Sequence, residues 1–249
     1  MPGPGLWQHN IWHIFSHIAD ACGDRQAIIW RERELTYAEL RARATRLANA
    51  LTAAGLGAHA GRAELEPWQS GQDHVALYLL NGPEYLEATL AGYASRTAPF
   101  NVNYRYTPAE LTHLFTDASP AAIIYHQRFA PALDEALDGL PARPLLIQVA
   151  DESKCQPVAG AIDYEDCLAG QGDVLAASGH CADDLYILYT GGTTGTPKGT
   201  LWRQADIFEA ALGGDELPGA TLSQLADAAA ARPALNFVPN APFMHGAAH

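Results

Sequence analysis

Asp184-Leu185-Tyr186-Ile187-Leu188-Tyr189-Thr190-Gly191-Gly192-Thr193-Thr194-Gly195-Thr196-Pro197-Lys198-Gly199 reads as a strand that runs into a loop of glycine, threonine and one lysine. Leu185 to Tyr189 is apolar and of strand length, which predicts a buried strand. Gly191, Gly192, Gly195 and Gly199 permit positive φ angles and close backbone approach. Successive backbone N–H groups can then form a concave nest for an anion. The hydroxyls of Thr190, Thr193, Thr194 and Thr196 can donate to phosphate oxygens, and Lys198 adds a mobile positive charge. Together they suit a polyphosphate. The pattern is not a Walker A loop, which needs glycine directly before the lysine and serine or threonine directly after it; here Pro197 precedes and Gly199 follows. The dinucleotide pattern G-x-G-x-x-G is absent from this stretch too. A plain Gly-rich surface turn is disfavoured by the length and composition of the loop and by the strand before it.

Upstream of that stretch, strand-like and helix-like segments alternate. Asn10 is placed to cap a helix carrying Ile11, Phe15, Ile18 and Cys22 at helical spacing. A short strand, Ala27 to Trp30, follows, and Arg31-Glu32-Arg33-Glu34 reads as a turn. Thr36 and Glu39 form a capping box that opens a helix with the apolar stripe Leu40, Ala44, Leu47 and Leu51, ended by Gly55. Leu56 to Asp73 reads as a surface loop. Strands are expected at His74–Leu80, Pro99–Val102, Ala121–Tyr125 and Leu145–Val149. Between them, Pro83 suits a first helical position, Thr107-Pro108-x-Glu110 opens a second capped helix, and a helix is expected over Phe129–Leu140. This alternation predicts βαβ units: an α/β fold of layered, largely parallel sheets flanked by helices. The expected subdivision is a first βα unit at 1–150, a connection at 151–184, and the start of a second sheet with the phosphate loop at 185–249. Ala228 to Ala231 is a helix former.

With 48% apolar and 17% charged residues the chain is globular in composition. Fifteen Lys and Arg against 28 Asp and Glu give a net charge of −13, which disfavours nucleic acid and anionic membrane surfaces as partners. The N-terminal Met1-Pro2-Gly3-Pro4-Gly5 lacks the pattern of a secretory signal. No apolar run reaches transmembrane length. The scattered Cys22, Cys155, Cys167 and Cys181 read as reduced thiols of a cytoplasmic protein.

Thr190 to Gly199 resembles the phosphate-binding signature of the adenylate-forming (AMP-binding) superfamily, and the chain as a whole is most similar to its AMP-forming acyl-CoA synthetases. Gly191-Gly192 and Trp202-Arg203-Gln204 resemble the branch acting on fatty and steroid side-chain acids. Thr36-Tyr37-x-Glu39-Leu40, Asn81-Gly82-Pro83-Glu84-Tyr85 and Asn101-Val102-Asn103-Tyr104-Arg105-Tyr106 share in that resemblance. So does Pro242-Phe243-Met244-His245-Gly246, which is similar to the family's next motif. The resemblance implies a two-step ligase: ATP and a carboxylic acid give acyl-adenylate and pyrophosphate, and coenzyme A then displaces AMP, with Mg2+ assisting. It implies that Thr190, Thr193, Thr194 and Lys198 clamp the β- and γ-phosphates. Gly191, Gly192, Gly195 and Gly199 let the loop close, Thr196 and Pro197 complete it, and His245 borders the acyl pocket. Thr193, Lys198 and His245 are the expected catalytic residues, and no metal ligand is assigned.

Other candidates weigh less. His9, His13 and His17 share helical spacing without a patterned carboxylate, so a solvated or interfacial face is favoured over a metal site. His245 and His249 lack the glutamate of a zinc motif. Asp183-Asp184 reads as a solvated turn. Tyr104-Arg105-Tyr106 has no other basic cluster beside it to make a nucleic-acid patch. Family members run to more than twice this length, so the chain is expected to be an N-terminal part, incomplete at its C-terminus and inactive alone. An exposed apolar edge or face in its second half is the expected pairing site. The alternative from another class is a truncated, non-catalytic nucleotide-binding or interaction protein completed by a partner chain.

Overall fold

The computed structural model describes residues 9–191 and 197–246. Helix α1 (Ile11–Ala21) is capped by Asn10, whose side chain accepts from the His13 amide. Strands β1 (Gln26–Trp30) and β2 (Arg33–Thr36) pair antiparallel. Here the expectation needs correction: only Arg31-Glu32 turns, with Arg31 at φ 54°, and the charged residues after it form a strand. Both capping boxes are present, Thr36 with Glu39 at α2 (Tyr37–Ala53) and Thr107 with Glu110 at α4 (Pro108–Ala118).

The centre is a parallel sheet. Strand β3 (His74–Tyr78) leads through α3 (Pro83–Ala94) to β4 (Ala98–Asn101). The chain then runs through α4 to β5 (Pro120–His126) and through α5 (Ala130–Leu137) to β6 (Leu145–Val149). Next come β7 (Ile162–Asp163) and α6 (Tyr164–Ala169). The strand order is β4-β3-β5-β6-β7, every pair parallel. The chain crosses the sheet one way through α3 and the other way through α4 and α5. Crossovers of one hand therefore place these helices on opposite faces. Alternation along the strands feeds both cores. Val75, Leu77, Ala122, Ile124, Ile147 and Val149 pack with Leu47, Leu51, Ala88 and Ala91. Ala76, Tyr78, Ile123, Tyr125 and Leu146 pack with Leu111, Phe115, Leu133 and Ala136. β7 and α6 lie within residues 151–184 and extend this first sheet; a two-residue strand is too short to leave a periodic signal.

Strand β8 (Leu185–Gly191) and β9 (Pro197–Arg203) form an antiparallel hairpin in register from Leu185 opposite Arg203 to Gly191 opposite Pro197. β8 is buried as expected and continues the two-faced pattern: Tyr186 joins the first core, Leu185 and Ile187 the second. Helix α7 (Gln204–Ala211) and α8 (Leu222–Ala231) follow, with Phe208 and Leu225 packed on Ile14 of α1. The four cysteines are free. Among the described residues no helix is long and apolar enough to cross a membrane.

Candidate functional site

The loop read from sequence is shorter than its motif. Thr190 and Gly191 end β8, and Pro197, Lys198 and Gly199 begin β9. Gly192, Thr193, Thr194, Gly195 and Thr196 join them and lie outside the described residues, as does His249. Thr190 stands directly opposite Lys198, and both are exposed. Among the described residues Lys198 has no ion-pair partner. A hydroxyl-bearing residue and a free ammonium thus sit side by side at the base of the glycine-rich turn, a donor set that fits an anion.

Gly199, one of the glycines expected to let the loop close, is also closely packed. It lies within β9, and a Cβ there would meet the Tyr189 ring at 2.8 Å. The missing side chain lets that ring lie across the strand, where its hydroxyl donates to Asp117 Oδ2 at 2.8 Å. Burial, reinforced by the Asp117 carboxylate, pushes the Tyr189 phenol upward, so it remains a donor.

Side chains brace the hairpin at its base. The Leu185 amide donates to Gln72 Oε1, and Gln204 Nε2 donates to the Leu185 carbonyl. Gln204 Oε1 accepts from the Ile11 amide. Asp184 is 2% exposed and corrects the expectation of a solvated turn. Its carboxylate is paired with Arg96 at 2.8 Å and accepts from Asn10 Nδ2 and the Cys181 amide. Its neighbour Asp183 is half-exposed and pairs with Arg203.

The segment with His245 is held from the carboxyl edge of the parallel sheet, where open α/β sheets bind ligands. Asn81, just past β3, accepts from the Phe243 amide at 2.7 Å and donates to the Ala241 carbonyl at 3.2 Å. Tyr85 Oη donates to the Phe243 carbonyl at 2.8 Å. Asn101, at the end of β4, donates to the Met244 carbonyl at 2.7 Å. His245 is exposed, and Gly246 packs so closely that a Cβ would stand 2.6 Å from Leu188 of β8. Hairpin and histidine segment therefore meet along β8. Asn81, Tyr85 and Asn101 are legible in the sequence only through the resemblance, because these contacts to residues 241–244 span more than 140 residues, beyond any local pattern. His13 faces His180 with ring centroids 5.2 Å apart. Among the described residues no group of three His, Cys, Asp or Glu side chains is placed to hold a metal ion.

A sandwich that gathers a Gly/Thr/Lys hairpin and a histidine segment beside the carboxyl edge of a parallel sheet is of the ligand-binding α/β class. The chain belongs to the AMP-binding enzyme family, whose sequence pattern matches residues 15–248. It is 46% identical over 235 residues to the medium-chain acyl-CoA ligase Mig of Mycobacterium avium, covering 93% of this chain and 43% of that protein. It is 35% identical over 244 residues to the 3-oxocholest-4-en-26-oate–CoA ligase of Rhodococcus rhodochrous, covering 96% of this chain and 42% of that protein. The chain thus spans less than half the length of these relatives. Among solved structures, the anthranilate CoA ligase AuaEII in complex with anthranoyl-AMP superposes with a TM-score of 0.71 at 20% identity. That match covers 85% of this chain and 38% of that one. The apo structure of Mycobacterium smegmatis MbtA superposes with a TM-score of 0.69 at 22% identity, over 86% and 37%. These two likenesses show the fold.

Proposed function

We propose that this chain supplies the phosphate-gripping part of an AMP-forming acid–thiol ligase, which activates a carboxylic acid with ATP and passes the acyl group to coenzyme A. The observation that carries this reading is the braced hairpin, with Thr190 opposite an exposed Lys198 and the His245 segment tied against the same strand. Attack of a carboxylate on the α-phosphorus brings two anions together, so donors already in place at the phosphates lower the barrier without reorganisation. In this reading Thr190, Thr193, Thr194 and Lys198 hold the β- and γ-phosphates. Gly191, Gly192, Gly195, Thr196 and Pro197 shape the turn, and His245 borders the acyl pocket. Mg2+, when bound with ATP, offsets phosphate charge; no described residue is assigned to it.

A fatty or steroid side-chain acid is the substrate class we favour, supported by the names of the Mycobacterium avium and Rhodococcus rhodochrous relatives. The working division remains 1–150, 151–184 and 185–249, with β7 and α6 joined to the first sheet. Leu235, Phe237 and Val238 are 82–87% exposed, which supports a pairing surface for further polypeptide in the second half. Free cysteines support a cytoplasmic setting. Acid-dependent ATP–pyrophosphate exchange tests the function. A full-length form should exchange, residues 1–249 alone should not, and Lys198→Ala combined with Thr193→Ala should abolish the full-length signal. Undiminished exchange in that double variant would remove the phosphate-clamp assignment.

A further inference from the structure

Asn101 occupies the last position of β4 and is 3% exposed. Its side-chain carboxamide is used at both ends. Oδ1 accepts from the Tyr189 amide at 2.8 Å; Nδ2 donates to the Tyr189 carbonyl at 2.8 Å and to the Met244 carbonyl at 2.7 Å. With Oδ1 accepting one amide and Nδ2 donating to two carbonyls, both Nδ2 protons are committed. One amide group therefore stands in for a backbone neighbour of β8 and also holds the peptide bond just before His245. Tyr189 is the residue before Thr190, so each segment is fixed one residue away from a group assigned to the reaction.

We propose that Asn101 is a positioning residue that locks the phosphate hairpin and the His245 segment into a single relative placement. The role rests on the ligase reading above, but the physical coupling does not. Asn101 hydrogen-bonds both β8 and residues 241–246 through one side chain. Asn81 and Tyr85 hydrogen-bond the second segment, and Gln72 and Gln204 hydrogen-bond Leu185 at the far end of β8. Removing the carboxamide leaves the amide and carbonyl of Tyr189 and the carbonyl of Met244 without these partners, so both segments gain freedom together. Displacements of about 1 Å between reacting groups cost roughly 10²-fold in rate.

Two measurements on Asn101→Ala separate the coupling from the ligase reading. Hydrogen exchange on the chain itself should show residues 185–191 and 241–246 losing protection together, while β3, β5 and β6 keep theirs. Loss in one segment alone, or in neither, would overturn the coupling whatever the activity. In the full-length form, kcat for acid-dependent ATP–pyrophosphate exchange should fall roughly 10²-fold, with the KM for ATP changed by less than about threefold. A variant that merely lowers the folded fraction would keep the wild-type kcat per folded molecule, and that result would overturn the positioning role. If the unmodified full-length form shows no exchange, the ligase reading fails and the protection pattern still decides the coupling. If Asn101→Ala does not fold, Asn101→Ser, which keeps one hydrogen-bonding group, is measured in the same way.

Discussion

At the scale of single residues, Gly199 carries a packing constraint that its place in the loop motif does not reveal. In the sequence it is one more glycine of a phosphate loop; in the structure it is the strand position over which the Tyr189 ring lies. That ring cannot simply swing aside, because its hydroxyl is tied to Asp117 and the ring packs at a tilt against Phe100, with centroids 5.1 Å apart. A methyl group placed 2.8 Å from the ring must shift the strand or break the Asp117 hydrogen bond. Overpacking of this kind costs roughly 1–3 kcal/mol. Gly199→Ala should lower the unfolding free energy by that amount, seen as a lower urea midpoint at unchanged slope, and adding Tyr189→Leu should recover part of it. A single variant as stable as the parent would show that the ring is not held.

At the scale of elements, the hairpin depends on an ion pair that strand periodicity does not reveal. Asp184 closes the turn before β8 with its carboxylate buried, and Arg96 supplies its only cationic partner among the described residues. Truncating one member of a buried pair strands the other, at about 3 kcal/mol or more. Arg96 sits at φ 59°, and alanine retains a Cβ there, so Arg96→Ala changes the ion pair without relieving the backbone. The expected result is a loss of that size in chemical denaturation, with Asp184→Asn less damaging because an amide can stay hydrogen-bonded to Cys181 and Asn10. Equal stability of Arg96→Ala and the parent would sink the argument.

The same contrast explains what the sequence revealed. β3, β5 and β6 are largely apolar runs, and α2 and α4 open on capping boxes, so their signals are local and their places were predicted. β2 is charged, β7 has two residues, and β9 is largely exposed; none carries a period that can be read. The glycine-, threonine- and lysine-bearing stretch at 190–199 was recognisable as a motif. Its braces were not, because Arg96, Gln72 and Asn101 act across 88 to 143 residues of chain.

At the scale of the whole molecule, burial of neutral histidines sets a pH dependence. His13, His74, His126 and His180 all lie below the ordinary imidazole value. Loss of solvent is the leading cause in each; neighbouring histidines add to it at His13. His74 shows why protonation is resisted. Its Nδ1 donates to the Ala118 carbonyl at 2.6 Å, and its buried Nε2 has no hydrogen-bond partner, so a second proton would have no acceptor. The folded state therefore binds these protons more weakly than the unfolded chain does. Below about pH 6.5 the unfolded state takes them up, and stability falls with pH through that window. The capping carboxylates Glu39 and Glu110 are shifted the other way, downward, by hydrogen bonds from Thr36 and Thr107. Their contribution is present above the ordinary carboxylate value and is lost only as pH falls below about 4.3. Urea midpoints taken from pH 8 to pH 4 should stay level down to about pH 6.5 and decline from there, well before carboxylates titrate. His74→Gln, which keeps a donor for Ala118 but cannot be protonated, should flatten the slope between pH 6.5 and 5. A level profile from pH 8 to pH 5, or an unchanged slope in that variant, would show that burial does not hold these imidazoles neutral.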